Sequence, residues 1–198
     1  LITVLAGSSI GLSLALRDPL ANLFSGMTVL ASSKVQPGDY IRLSSGQEGI
    51  VTDIRWSDTY IRELPDNMII IPNALMTSTI ITNFDQPASE LSVLFELGVR
   101  YDSDLAEVER LVVAAASEVL ASVPGGVSDF TPLVRYQALG DSVVRFTAIL
   151  RAQSFVDQFL LKHEFVKRLQ ASFAAAGRPP PTPIQLLRLE RQAQRPPA

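Results

Sequence analysis

The stretch LITVLAGSSIGLSLALRDPLANLFSGMTVLASS, residues 1–33, carries charge only at Arg17 and Asp18. Glycine, alanine and serine recur at helical spacing through the apolar run ahead of that pair. Such a composition suits a helix that packs against other helices in lipid. In water the same run would leave more apolar surface uncovered than a monomeric domain tolerates, so it reads as a membrane span, an interface, or both.

At about 100° per residue, Ile10 and Leu14 fall on one line of the helix, with Thr3 between them. Gly7 and Gly11 sit roughly 40 to 60° to one side, and Ala6, Ser9 and Ser13 sit on the other. Leu5, Leu12 and Leu16 group on the opposite face. A helix pair needs one small face, such as Gly7-x-x-x-Gly11, whereas a closed ring needs two contact faces and a third turned inward. The wheel offers three. On that reading Ile10 and Leu14 form stacked apolar rings around a lumen, a constriction that gates by dewetting. A small-residue helix buried inside a larger bundle fits the wheel equally well.

The run before Arg17 spans about 24 Å at 1.5 Å per residue, short of a bilayer core near 30 Å. The chain also opens on Leu1, so it reads as a piece beginning inside a membrane segment. A secretory signal is the competing reading, but no basic n-region and no clear cleavage site accompany the run. Arg17-Asp18-Pro19 predicts a bend or break, because proline lacks the amide donor and disfavours helical geometry at the preceding residue. Asp18 would then cap a second helix with Pro19 in its first turn. That second piece, residues 18–34, is amphipathic: Leu20, Leu23, Phe24, Met27, Leu30 and Ala31 form a stripe opposite Asn22 and Ser25, suited to a membrane boundary or to capping a domain below it. Arg17 itself suits an interfacial anchor, with an ion-attracting ring or a pairing with Asp18 as alternatives.

With 198 residues and a net charge of −3, the chain has room for a sizeable core and lacks the clustered basic surface of a nucleic-acid binder. It has no cysteine and one histidine, which removes disulfides, thiolate metal sites and cysteine nucleophiles. His163, between Lys162 and Glu164, reads as a surface residue, since a metal site needs partners. Asp102, Asp104, Glu107 and Glu109 read as a solvated helix start favoured by its dipole. Pro124-Gly125-Gly126 is a turn, with no lysine following to cradle a phosphate. No cofactor, metal or catalytic group is expected, and with so little machinery the chain does not read as an enzyme.

From Pro37 the period changes. Residues 39–43, 49–56, 59–64, 68–71 and 80–84 read as short strands joined by tight turns, which in about fifty residues suggests a small, strongly bent barrel or sandwich. Asn73 and Asn83 read as satisfying backbone groups at strand ends. Gln86-Pro87-Ala88-Ser89 marks the boundary. Beyond it come a strand at 91–99, a helix entered through a capping box at Asp104 and Glu107, strands at 134–139 and 142–150 around Gly140-Asp141, and a helix at 154–176 with Phe155, Phe159, Val166, Leu169 and Phe173 on its apolar face. After Pro179-Pro180-Pro181, residues 184–189 read as a last strand. The order β-α-β-β-α-β is a ferredoxin-like split unit, and residues 191–198 read as a disordered tail.

These residues together resemble the small-conductance mechanosensitive channel family. Leu14-Ala15-Leu16-Arg17 with Leu20-Ala21-Asn22-Leu23 and Gly26 is similar to that family's pore-lining helix around its kink. Pro37-Gly38-Asp39-Tyr40-Ile41, Gly49-Ile50-Val51 and Ile61-Arg62 resemble its β domain. Ile71-Pro72-Asn73 followed by Ile81-Thr82-Asn83-Phe84 is its most recognisable signature, and Gly98-Val99-Arg100-Tyr101-Asp102-Ser103-Asp104 is similar to the entry of its α/β domain. Each motif is short, but their order and spacing run through nearly the whole chain.

The resemblance implies a membrane helix plus an α+β cytoplasmic part assembled as a ring. Its parts would be a truncated pore-lining transmembrane helix (1–17), an amphipathic helix after the kink (18–34), a small Sm-like β-barrel domain (35–86), a ferredoxin-like α/β domain (87–190) and a tail (191–198). It implies a homo-oligomer, a heptamer, in the bilayer of the inner membrane, with residues after about 18 on the cytoplasmic side. Carried over, Ile10 and Leu14 match the two constriction rings, Thr3, Gly7 and Gly11 one packing face, and Ala6, Ser9 and Ser13 the other. The implied function is an ion channel opened by membrane tension, passing ions and small osmolytes during hypoosmotic shock. The alternatives are a membrane-tethered oligomeric scaffold, or a ligand-gated relative with a regulatory domain elsewhere. Two departures stand out. Arg17-Asp18-Pro19 occupies the usual small, flexible kink, and Ser9 and Ser13 replace glycines.

Overall fold

The computed structural model describes residues 2–140 and 143–177, with side chains from residue 11 onward. The elements are α1 (Ile2–Ser32), β1 (Tyr40–Leu43), β2 (Glu48–Ile54), β3 (Asp58–Arg62), β4 (Met68–Pro72), α2 (Asn73–Ser78), β5 (Ile81–Asn83), β6 (Leu91–Val99), α3 (Leu105–Ser122), β7 (Leu133–Leu139), β8 (Val144–Ala152) and α4 (Asp157–Ala175), an α+β arrangement. They group into two units: residues up to Leu91 together with Gln153–Phe155, and Ser92–Ala152 with the residues from Val156 on.

Of the bend or break expected at Arg17-Asp18-Pro19, the break is absent. α1 runs unbroken through it with Pro19 inside, so Asp18 is a helical residue and not a cap. Proline costs an interior helix about 3 kcal/mol, but fifteen helical residues precede Arg17 and thirteen follow Pro19. Propagation of a helix already nucleated on both sides offsets a single lost donor. No helix among the described residues is long and apolar enough to cross a membrane. Glycine and serine dilute the hydropathy of the run, and Arg17 and Asp18 then interrupt it.

In the first unit the strands form one antiparallel sheet in the order β4-β3-β2-β1-β5, so β4 and β5 are its edges. A bulge between Val51 and Asp53 raises the local twist of β2. Gly49 is required where β2 presses on β3, since a Cβ there would lie 2.4 Å from the Arg62 carbonyl oxygen. The sheet's inner face, with Ile41, Val51 and Ile61 fully buried, packs with Val29 of α1 and Met76 of α2 into one core. The sequence reading missed α2, taking Pro72-Asn73 only as the end of a strand.

Phe155 also belongs to this unit. Its ring stacks on Tyr40 with centroids 4.0 Å apart and tilts against Phe84 at 4.3 Å. The Arg42 guanidinium lies 5.1 Å above Phe84 and pairs with Glu48. Burial, followed by the nearby Glu48 carboxylate, pushes the Tyr40 phenol up to about 12.

The second unit carries α3 and α4 with a three-stranded sheet in the order β6-β8-β7. The β6-α3-β7 crossover leaves a gap that β8 fills, pairing antiparallel with β7. Asp104 caps α3, its Oδ1 accepting from the Ala106 and Glu107 amides at 3.0 and 3.3 Å. The buried row of α4 is Leu161, Phe165, Leu169 and Phe173. Phe159 and Val166, expected on that face, are 47% and 56% exposed. Two apolar rows at i, i+4 spacing compete in this helix, and the uninterrupted one faces the sheet. The strand expected at 184–189 and the tail at 191–198 lie outside the described residues.

Candidate functional site

The sequence placed the function on α1, and its two halves have different surroundings. Every residue from 11 to 21 is exposed. Leu14, the expected constriction residue, is 66% exposed, and a Cβ added at Gly11 would meet nothing within 4 Å. Ser13 is likewise on the surface. Ile10, Thr3, Ala6, Gly7 and Ser9 lie on the helix, and their side chains are outside the described set. Arg17 and Asp18 are exposed, and neither has an ion-pair partner among the described residues.

Below Asp18 the helix is seated on the β domain, and through its small, polar side. Gly26 is buried against the β2–β3 connection and α2. A Cβ there would lie 2.5 Å from Asn73 Nδ2 and 2.7 Å from the Trp56 carbonyl oxygen. Four residues earlier, Asn22 Oδ1 accepts from the Ala74 amide at 2.9 Å. That bond supplies α2 with the first-turn cap that Pro72 cannot provide. The Thr77 hydroxyl reaches Ser25 Oγ at 3.1 Å, and Val29 completes the contact from the core.

Asn73 sits at the centre of the seat, fully buried. Its Nδ2 donates to the Arg55 carbonyl at 2.8 Å, and its Oδ1 accepts from the Thr59 hydroxyl at 2.8 Å. The strand-end role read from the sequence is correct as far as it goes; the second role, pressing on Gly26, was not legible.

The C-terminal end of α1 is clamped as well. Asn83 Nδ2 donates to the Lys34 carbonyl at 3.0 Å and to Asp39 Oδ2 at 2.7 Å. Gln86 Nε2 donates to the Ser33 carbonyl at 3.0 Å. The carbonyls of Ser33 and Lys34, just past the helix end, are thus satisfied by side chains from β5 and the segment after it.

The apolar stripe expected on this half faces away from the seat. Leu20, Phe24, Met27 and Leu30 are 46%, 63%, 60% and 54% exposed. With Leu16 they form a continuous apolar flank that nothing among the described residues covers. Asn22 and Gly26 were the readable signal for the seat, since two small or polar residues four apart line the side opposite the stripe.

The family described as "Mechanosensitive ion channel, beta-domain" matches residues 18–86, which hold both the seat and the clamp. This chain belongs to the MscS-like family of mechanosensitive channels. It is 30% identical over 139 residues to the mechanosensitive channel MscK of Escherichia coli, covering 70% of this chain and 12% of that protein. It is 26% identical over 180 residues to the small-conductance mechanosensitive channel of Helicobacter pylori, covering 88% of this chain and 62% of that one. The crystal structure of Helicobacter pylori MscS in its closed state shares the fold with a TM-score of 0.80 at 23% identity, over 96% of this chain and 73% of that chain. The chain therefore spans only part of the MscS-family proteins it matches.

Proposed function

We propose that this chain is the pore-helix, β-domain and α/β portion of a mechanosensitive channel subunit, which assembles as a homo-oligomeric ring, a heptamer, in the inner membrane. The observation that carries the reading is the division of α1. One side is fixed to the β domain through Asn22, Gly26 and Val29, while the apolar flank from Leu16 to Leu30 and all of residues 11–21 are uncovered. An exposed apolar surface of that extent is stable only against lipid or other helices, and family membership supports both neighbours.

In this reading Ile10 and Leu14 line the lumen, and Thr3, Gly7, Gly11 and Ala6, Ser9, Ser13 form the two contact faces. Residues after about 18 lie on the cytoplasmic side. Membrane tension favours the state with the larger in-plane area, the helices separate, and the constriction wets, passing ions and small osmolytes during hypoosmotic shock. The β domain moves with the helix because the Asn73 seat and the Asn83 clamp hold both ends of its lower half. The test is patch clamp of the full-length parent chain in liposomes. Leu14→Ser is expected to lower the opening tension or produce leak, and unchanged threshold and leak would overturn the lumen assignment. A monomer or dimer in lipid nanodiscs would favour the tethered scaffold instead.

A further inference from the structure

The unbroken course of α1 through Arg17-Asp18-Pro19 fixes where these two charges point. A single helical phase holds from Ile2 to Ser32, so Arg17 and Asp18 project about 100° apart. Adjacent residues on a helix do not face each other, and among the described residues neither side chain has a partner. Two exposed opposite charges therefore sit unpaired side by side at the foot of an apolar segment.

Their phases are informative. Asp18 falls within about 20° of the positions of both Gly7 and Gly11, eleven and seven residues before it. Arg17 falls about 20° from the position of Ala6 and about 40° from that of Ser13. Each of the two small faces thus ends in one charge, and the two charges have opposite sign. A break at Pro19 would have removed Asp18 from its face.

We propose that Arg17 of one copy pairs with Asp18 of the next, so that a ring of α1 helices closes with a circuit of alternating charges at the base of its apolar part. The proposal rests on the ring reading given above and specifies its contact. In a head-to-tail ring every interface joins two different faces of the same helix. Packing the glycine face of one copy on the alanine–serine face of its neighbour brings Asp18 to Arg17 within one helical rise. The opposite hand-off, like face to like face, would set carboxylate against carboxylate. The charges are what select the second copy as occupant: lipid alone offers no alternating partner, whereas the chain is complementary to itself. When the helices separate the pairs separate too, so the circuit holds the narrow state.

The test uses the full-length parent chain in nanodiscs with the R17C/D18C double variant. This chain has no cysteine of its own, and neighbouring Cα atoms 3.8 Å apart are too close for an unstrained disulfide within one helix. Oxidation is expected to give a ladder of covalent oligomers up to the closed ring, with R17C or D18C alone giving none. An intact oligomer by native mass spectrometry without a ladder would overturn the pairing while leaving the ring reading in place; no oligomer at all would overturn both. A second measurement covers variants that misfold. Charge reversal in R17D is expected to lower the opening tension in patch clamp and the R17D/D18R double reversal to restore it. A double variant no nearer to the parent than the single one would overturn the proposal.

Discussion

Residues 11–21 and 22–35 belong largely to one helix, yet only the second stretch has an address inside the chain. In the first, nothing is buried and Gly11 looks onto open space. In the second, Gly26 and Val29 are buried, Asn22 caps a neighbouring helix, and the helix end is held by Asn83 and Gln86. The upper half is left exposed by the described residues. The lower half is joined to its domain, and joined by polar and small groups, which leaves its apolar flank available. Small residues serve both halves for opposite reasons. Gly26 is small because its own chain is already there; on the proposed ring reading, Gly11 is small because a neighbouring copy packs there.

The sharpest way to break this contrast is Gly26→Val. The new Cβ would meet the Trp56 carbonyl oxygen at 2.7 Å, a backbone atom that cannot rotate aside. We expect a loss of about 3 kcal/mol, read as a lower denaturation midpoint, together with faster hydrogen exchange in α2. Retained stability would mean that α1 is not seated where Gly26 places it.

Next in size is the alkaline dependence of the lower region. Tyr40, raised to about 12 in the folded state from an ordinary 10, stays protonated after the unfolded chain has ionised. The unfolded state then binds fewer protons, so stability is full below pH 10 and falls between about 10 and 12. The total is on the order of 2 to 3 kcal/mol. Tyr40→Phe is expected to flatten that interval in pH-dependent urea unfolding, and an unchanged slope would remove Tyr40 as its source.

Asn22→Ala is expected to cost about 1 kcal/mol by leaving the Ala74 amide without its acceptor, with the loss of protection confined to the start of α2. Smallest is Gly11→Ala. The added methyl meets nothing within 4 Å, so the monomeric chain should lose no stability and gain only alanine's helix propensity over glycine, about 0.5 to 1 kcal/mol. The same change should alter the opening tension of the assembled parent channel. A large effect on the monomer would place a neighbour at Gly11 within the chain itself and dissolve the contrast.

Much of the fold was legible in the sequence because it depends on local chemistry. Alternation and turn residues located the strands, and Asp104 announced α3. What was not legible depends on competition between distant or equivalent signals. Pro19 argued for a break, but helix on both sides outweighed it. In α4, Phe159 and Val166 formed a plausible stripe until Leu161, Phe165, Leu169 and Phe173 took the sheet. The seat was hardest, since Asn22, Ser25 and Gly26 look like a solvated face until Asn73 and Ala74 arrive from fifty residues away. The assumption that an amphipathic helix packs by its apolar side fails in α1, whose apolar side is left exposed.

The packing of Phe155 against Tyr40 and Phe84 has a consequence for biosynthesis. The first unit spans residues up to Leu91, but one of its buried rings is encoded sixty-four positions later. As the polypeptide leaves the ribosome N-terminus first, the β sheet can pair while Tyr40 and Phe84 still face solvent, and the unit closes only when most of the second has been translated. A shortened chain ending at the apparent boundary near Pro87 would keep every strand of its sheet and lack the ring that closes it.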